Sequence, residues 1–133
     1  MVHIRNEEEV GKLRKSARIL VKTFVEIASA VKPGVTTGEL DEIAESVIRG
    51  QGGRPAFKGY RGFPATLCTS VNEEVVHGIP GKRKLEAGDL VSIDMGVDLK
   101  GFFSDAAKTF KIGAVSAEDE KLIEITKKSL FRG

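Results

Sequence analysis

The chain has 133 residues, 41% of them hydrophobic and 30% charged, with a formal net charge of +2 at neutral pH. That length fits one domain able to bury a real core, and the balance of residue types is ordinary for a protein folded in water. The charge is too small and too scattered to point to nucleic acid. The single cysteine, Cys68, excludes an internal disulfide and fits a reducing compartment, and no apolar run approaches the length of a membrane span.

Glu7-Glu8-Glu9 interrupts any early apolar stretch, so no signal peptide is expected and the cytoplasm is the default location. Asn6 with Glu9 reads as a helix cap and its capping-box partner. Val10, Leu13, Ala17, Leu20, Val21, Phe24, Ile27, Ala28 and Val31 then recur at helical spacing, and Lys32-Pro33-Gly34 ends the run. Thr36 with Glu39 opens a second helix striped by Leu40, Ile43, Ala44, Val47 and Ile48, closed by Gly50, Gly52 and Gly53. Both helices read as structural.

Arg54 to Pro80 differs in texture. Phe57, Gly59, Tyr60, Gly62, Phe63 and Pro64 form a loop rich in glycine and aromatics, ahead of a short strand from Thr66 to Val71. Asn72-Glu73-Glu74 breaks that strand, and Val75 to Pro80 is expected to resume it. Such a loop either carries a binding site or is packed by its own side chains, and composition alone favours neither. Gly81 to Gly88 is a basic turn, with Lys82-Arg83-Lys84 read as solvated charge. Strands are predicted over Asp89 to Val97 and Gly101 to Ile112. Ser116 with Asp119 starts a last helix carrying Leu122, Ile123, Ile125 and Leu130. The order predicts an α+β fold, with helices packed on one face of a mostly antiparallel sheet.

The two late strands hold the most informative pair. Val91, Ile93 and Met95 alternate with Ser92 and Asp94, while Phe103, Asp105, Ala107 and Thr109 share a face. With the turn placed at Leu99-Lys100, between Asp98 and Gly101, Asp94 is expected to face Asp105 directly. Their β-carbons would then lie roughly 4.5–5.5 Å apart. Like charges so placed destabilise a sheet unless something compensates. One carboxylate could keep a proton, a Lys or Arg could lie between them, or both could hold a divalent cation. A solvated pair on a wet face is the plain alternative, but Asp94 sits inside an apolar run where lone aspartate is rare.

His3 precedes the first helix and is expected to be exposed and idle. His77 ends an apolar run beside Gly78-Ile79-Pro80. A lone histidine there is more often structural than catalytic, but a dicarboxylate that binds a divalent metal suits hydrolysis, which wants a proton shuttle. No Ser-His-Asp or Cys-His arrangement competes. Cys68 lies in an apolar strand, where a thiol is inert unless its pKa is lowered. The glycines around Tyr60 match neither a phosphate-binding loop nor a dinucleotide fingerprint.

Four strings carry a family resemblance. They are Pro55 to Pro64, Cys68 to Pro80 with its Val-Asn-Glu-Glu-Val-Val-His-Gly-Ile-Pro run, Ser92 to Gly96, and Ser104 to Ala107. Together they resemble type I methionine aminopeptidase across essentially the whole chain. The related prolidases and creatinases share the two aspartates but not the histidine-containing run. The resemblance implies a pita-bread fold of two pseudo-symmetric α+β halves, and removal of the initiator methionine from nascent chains. It implies two divalent metal ions per complete site (Co, Mn, Fe or Zn), with Asp94 and Asp105 as ligands and His77 contacting the scissile peptide. It implies that Phe57, Tyr60, Phe63 and Cys68 line the methionine pocket. Phe57 stands where some members carry Cys, and Phe63 where Tyr is common.

The family's second half supplies a histidine and two glutamate ligands, which these 133 residues do not contain. Two aspartates cannot complete a metal shell that wants about six ligands. Residues 1–133 are therefore expected to form a single domain, the N-terminal half of such a catalytic domain. Its partners would be a nascent peptide N-terminus, and either the complementary C-terminal half or a second copy in a homodimer, with no nucleic acid and no membrane. A non-catalytic half that self-associates and binds divalent metal weakly is the alternative. A generic two-aspartate hydrolase outside this family is a third possibility.

Overall fold

A computed structural model describes residues 4–133. His3 lies outside the described residues. Helix α1 spans Glu7–Ala30 and α2 spans Thr37–Gly50, each opened by the full reciprocal capping box expected of Asn6–Glu9 and Thr36–Glu39. Four strands follow: β1 (Arg54–Pro55), β2 (Leu67–Val71), β3 (Leu90–Leu99) and β4 (Phe102–Lys111). A final helix, α3 (Ala117–Leu130), is capped by Ser116, which accepts the N–H of Asp119.

The sheet is antiparallel and centred on β3. Strand β4 pairs along the whole of one side of β3, while β2 and then β1 share its other side. Val91, Ile93, Met95 and Val97 point to one face and are fully buried against Ile19, Leu20 and Ile27 of α1 and Leu40, Ala44 and Ile48 of α2. This alternation is why a single face is covered: even-numbered β3 residues must point the other way. A polar link ties α1 to the hairpin, because the Ser16 hydroxyl, itself buried, donates to the Val97 carbonyl at 3.1 Å and lies 2.8 Å from the Ser104 hydroxyl.

The hairpin register differs from expectation by two residues. The turn is Lys100-Gly101, with both residues at positive φ (55° and 84°), the geometry of a two-residue type I′ loop. Asp98 fixes it by accepting the Gly101 N–H at 2.7 Å, while Arg54 holds the other carboxylate oxygen at 3.0 Å. Asp94 is therefore opposite Ala107, and Asp105 is opposite Gly96. The two aspartates are diagonal neighbours and not a facing pair. A slip of two keeps every side chain on its face, so both still project from the uncovered side of the sheet.

Val75 to Pro80 does not resume the strand. It is an irregular segment laid beside β2, where Thr69 donates its N–H to the Gly78 carbonyl at 2.8 Å. A β-carbon at Gly78 would run into the Thr69 carbonyl oxygen, so only glycine lets the two backbones meet. Helix α3 has no buried residue, and Leu122, Ile125, Leu130 and Phe131 are exposed. On the open face of the sheet, Phe103 is 60% exposed. Strand β4 pairs with no strand but β3 among the described residues.

Candidate active site

A cleft of about 570 Å³ opens on the uncovered face of the sheet. Its acidic floor is the hairpin, with Asp94 from β3 and Asp105 from β4. One wall is the loop between β1 and β2, carrying Phe57, Tyr60 and Phe63, joined by Cys68 from β2. His77 and Ile79 also line the cleft. All seven residues singled out from the sequence thus line one cavity. Arg61, Gly62, Pro64 and Ile79 also line it and were not singled out. The signal for Arg61 was present as a charge set between glycines in the aromatic loop.

Local physics places each group. Cys68 reaches the open face because it pairs with Asp94 in the β2–β3 ladder. Phe57 lies over Gly96, where a β-carbon would sit 2.8 Å from its ring. The missing side chain at Gly96 is thus what lets the ring rest on the sheet beside Asp105. The loop that carries the aromatics begins at the β1–β3 pairing and ends at Asp41 of α2, whose Oδ1 accepts the N–H groups of Thr66 and Leu67 at 2.9 and 2.7 Å. His77 has φ of 59°, left-handed for a residue with a side chain, and is held there by the Gly78–Thr69 contact and by the Gly78 N–H donating to the Ser70 hydroxyl at 3.2 Å.

The electrostatics are those of crowded carboxylates that are only partly countered. Burial first, then the nearby Asp105, push the Asp94 carboxyl above the usual aspartate range, partly offset by His77. Asp94 Oδ1 is buried and has no hydrogen-bond partner among the described residues. The Cys68 thiol is pushed up to about 11, by burial and then by the charges of Asp94, Asp105 and Asp41. It is a protonated, unreactive lining group at neutral pH.

An orphaned carboxylate oxygen beside a second carboxylate is what a hard or borderline divalent cation would satisfy. The donor set is incomplete, since no group of three or more His, Cys, Asp or Glu side chains is placed to hold a metal among the described residues. The residues present fit one side of a metal site.

The profile of metallopeptidase family M24 matches residues 11–133. The chain belongs to that family. Methionine aminopeptidase of Borreliella burgdorferi is 52% identical over 132 residues, covering 99% of this chain and 53% of the relative. The methionine aminopeptidase of Clostridium perfringens is 53% identical, covering 100% and 53%. Among solved structures, methionine aminopeptidase from Rickettsia prowazekii superposes with a TM-score of 0.96 at 34% identity, covering 98% of this chain and 53% of that one. The chain spans about half the length of the curated relatives it matches. Its α+β sheet with helices on one face is half of the pita-bread arrangement of these M24 proteins. Membership of a metallopeptidase family implies divalent metal ions. No helix among the described residues is long and apolar enough to cross a membrane.

Proposed function

We propose that this chain supplies one half of a methionine aminopeptidase site, the half that seats the methionine and part of the metal centre. The observation that carries the reading is the convergence of two carboxylates, one imidazole and an apolar aromatic wall in a single cleft. Phe57, Phe63 and Cys68 offer the unbranched, polarizable side chain of methionine an apolar seat, with Tyr60 at its edge. Asp94 and Asp105 would hold two divalent ions together with ligands from outside these residues, and would draw in the free α-ammonium of a nascent chain. When bound, the metal supplies Lewis-acid polarisation and a nucleophile at neutral pH. His77, which lines the same cleft, would donate its ring N–H to the scissile peptide carbonyl and steady it during cleavage. The apolar wall keeps bulk water from the first residue.

Residues 1–133 act as one N-terminal half-domain, in the cytoplasm where nascent chains are made. The metal is one of Co, Mn, Fe or Zn. The missing ligands come from a complementary C-terminal half. The test is turnover of a methionyl peptide by the purified chain with Mn²⁺ or Co²⁺, alone and mixed with a polypeptide covering the second half of the curated relatives. Activity only in the mixture is expected. Turnover by the chain alone would refute the half-site, and silence of the mixture would refute the peptidase.

One observation favours a second reading, a non-catalytic half that self-associates. Phe103, Leu122, Ile125, Leu130 and Phe131 are exposed apolar groups, and β4 has an edge that pairs with no strand among the described residues. A two-fold pair could cover both, bringing four aspartates together without histidine or glutamate ligands.

A further inference from the structure

Arg61 is held in an unusual way for a surface arginine. It lines the cleft that contains Asp94 and Asp105. Its backbone is left-handed (φ 48°, ψ 30°), between Gly59 at φ 88° and Gly62 at φ 84°. Left-handed backbone is unfavourable for a residue with a side chain, and such strain clusters where a loop presents a functional group. The guanidinium lies 5.4 Å from the Tyr60 ring centroid, a cation–π contact that narrows where the charge can go.

Several other cations of the chain are already paired. Arg54 pairs with Asp98 at 3.0 Å, Lys58 with Glu45 at 2.7 Å and Arg83 with Glu74 at 3.3 Å. Arg61 pairs with no carboxylate among the described residues. A positive charge left unpaired at the edge of a substrate cleft, on a strained and ring-braced loop, is poised for an anion that arrives with the substrate.

If the first residue of a peptide fills the apolar end, the residues after the scissile bond must leave over the rim. Each adds at most about 3.3–3.6 Å. The second or third of them can extend up to about 7–11 Å beyond that bond, comparable to the width of the cleft of about 570 Å³ that Arg61 lines. We propose that Arg61 is a specificity residue, favouring methionyl peptides that carry a carboxylate two to three residues beyond the scissile bond. This rests on the peptidase reading and adds a preference to it.

The test is a nuclear magnetic resonance titration of the full chain, with and without Mn²⁺. The probes are C-terminally amidated Met-Ala-Ala-Glu, Met-Ala-Ala-Gln and Met-Ala-Ala-Lys, together with Met-Ala-Ala as amide and as free acid. The Glu peptide is expected to bind about two- to fivefold tighter than the Gln peptide, an advantage that fades with added salt. Arg61→Gln should erase the ratio, Arg61→Lys should retain part of it, and Arg61→Glu should turn it towards the Lys peptide. Near-unchanged spectra away from the loop will show that the variants fold. Equal binding of Glu and Gln peptides by the parent chain, or a ratio that survives in Arg61→Gln, overturns the proposal and leaves the peptidase reading standing. An advantage confined to the free acid assigns the anion to the peptide terminus and overturns the side-chain preference. If no methionyl peptide binds under either condition, Arg61 confers no preference in this chain and the proposal falls, while the peptidase reading is decided by the assay of the mixture.

Discussion

At Asp94 a carboxylate is held where burial and the charge of Asp105 both oppose its ionisation, and where one of its oxygens has no hydrogen-bond partner among the described residues. The linkage has a definite sign. A carboxyl whose pKa is raised by folding carries no penalty while it is protonated in both states. It then costs stability as pH rises through the raised value. In the absence of metal, Asp94→Asn is therefore expected to raise the melting temperature by a few degrees at pH 7.5 and to change it little below pH 4. Thermal melts of parent and variant at the two pH values check this. Added Mn²⁺ should stabilise the parent and leave the variant nearly unmoved, because ligand binding to the native state is what offsets the charge. No gain in the variant at neutral pH would mean that the carboxylate is better solvated than its surroundings indicate.

The elements were legible to different degrees, for separable reasons. Caps are local chemistry, so Asn6–Glu9, Thr36–Glu39 and Ser116–Asp119 marked three helix starts that the structure reproduces. The face of the two aspartates was legible because side chains alternate with period two. Their register was not, because it hangs on Lys100 adopting a left-handed turn conformation more usual for Asn or Gly. Val75 to Pro80 has the apolar content of a strand, yet its path is set by the close approach of Gly78 to Thr69 and by Glu74 accepting the Val71 N–H at 2.8 Å. Contacts of that kind are tertiary and leave little trace in composition. Asp41, which fixes the entry to β2, went unnoticed for the same reason. Gly78→Ala is expected to destabilise the chain by about 1–3 kcal/mol, since the new methyl must push the two backbones apart. Denaturant unfolding measures the cost, and loss of the His77 side-chain resonances from their native positions would show that the same contact places the imidazole. A variant as stable as the parent would mean that the segment can move aside freely.

On the scale of the whole molecule, one face of the sheet is closed by α1 and α2, while the other carries the cleft and an exposed Phe103. A sheet with an open edge and apolar groups in water tends to find a cover. Sedimentation of the chain alone is expected to show a dimer or larger species, converting to a one-to-one complex when the complementary half is supplied. A strictly monomeric chain that ignores the added half would contradict both proposals for what covers the face. Within the cleft, the two kinds of lining have separate origins. The aromatic wall comes from the stretch between α2 and β2 together with Cys68, whereas the acidic floor comes from one hairpin more than twenty residues later. On the proposed reading, the gauge that measures an incoming side chain can be recut at Phe63, which belongs to the wall alone, while Phe57, resting on Gly96 opposite Asp105, ties that gauge to the acidic floor.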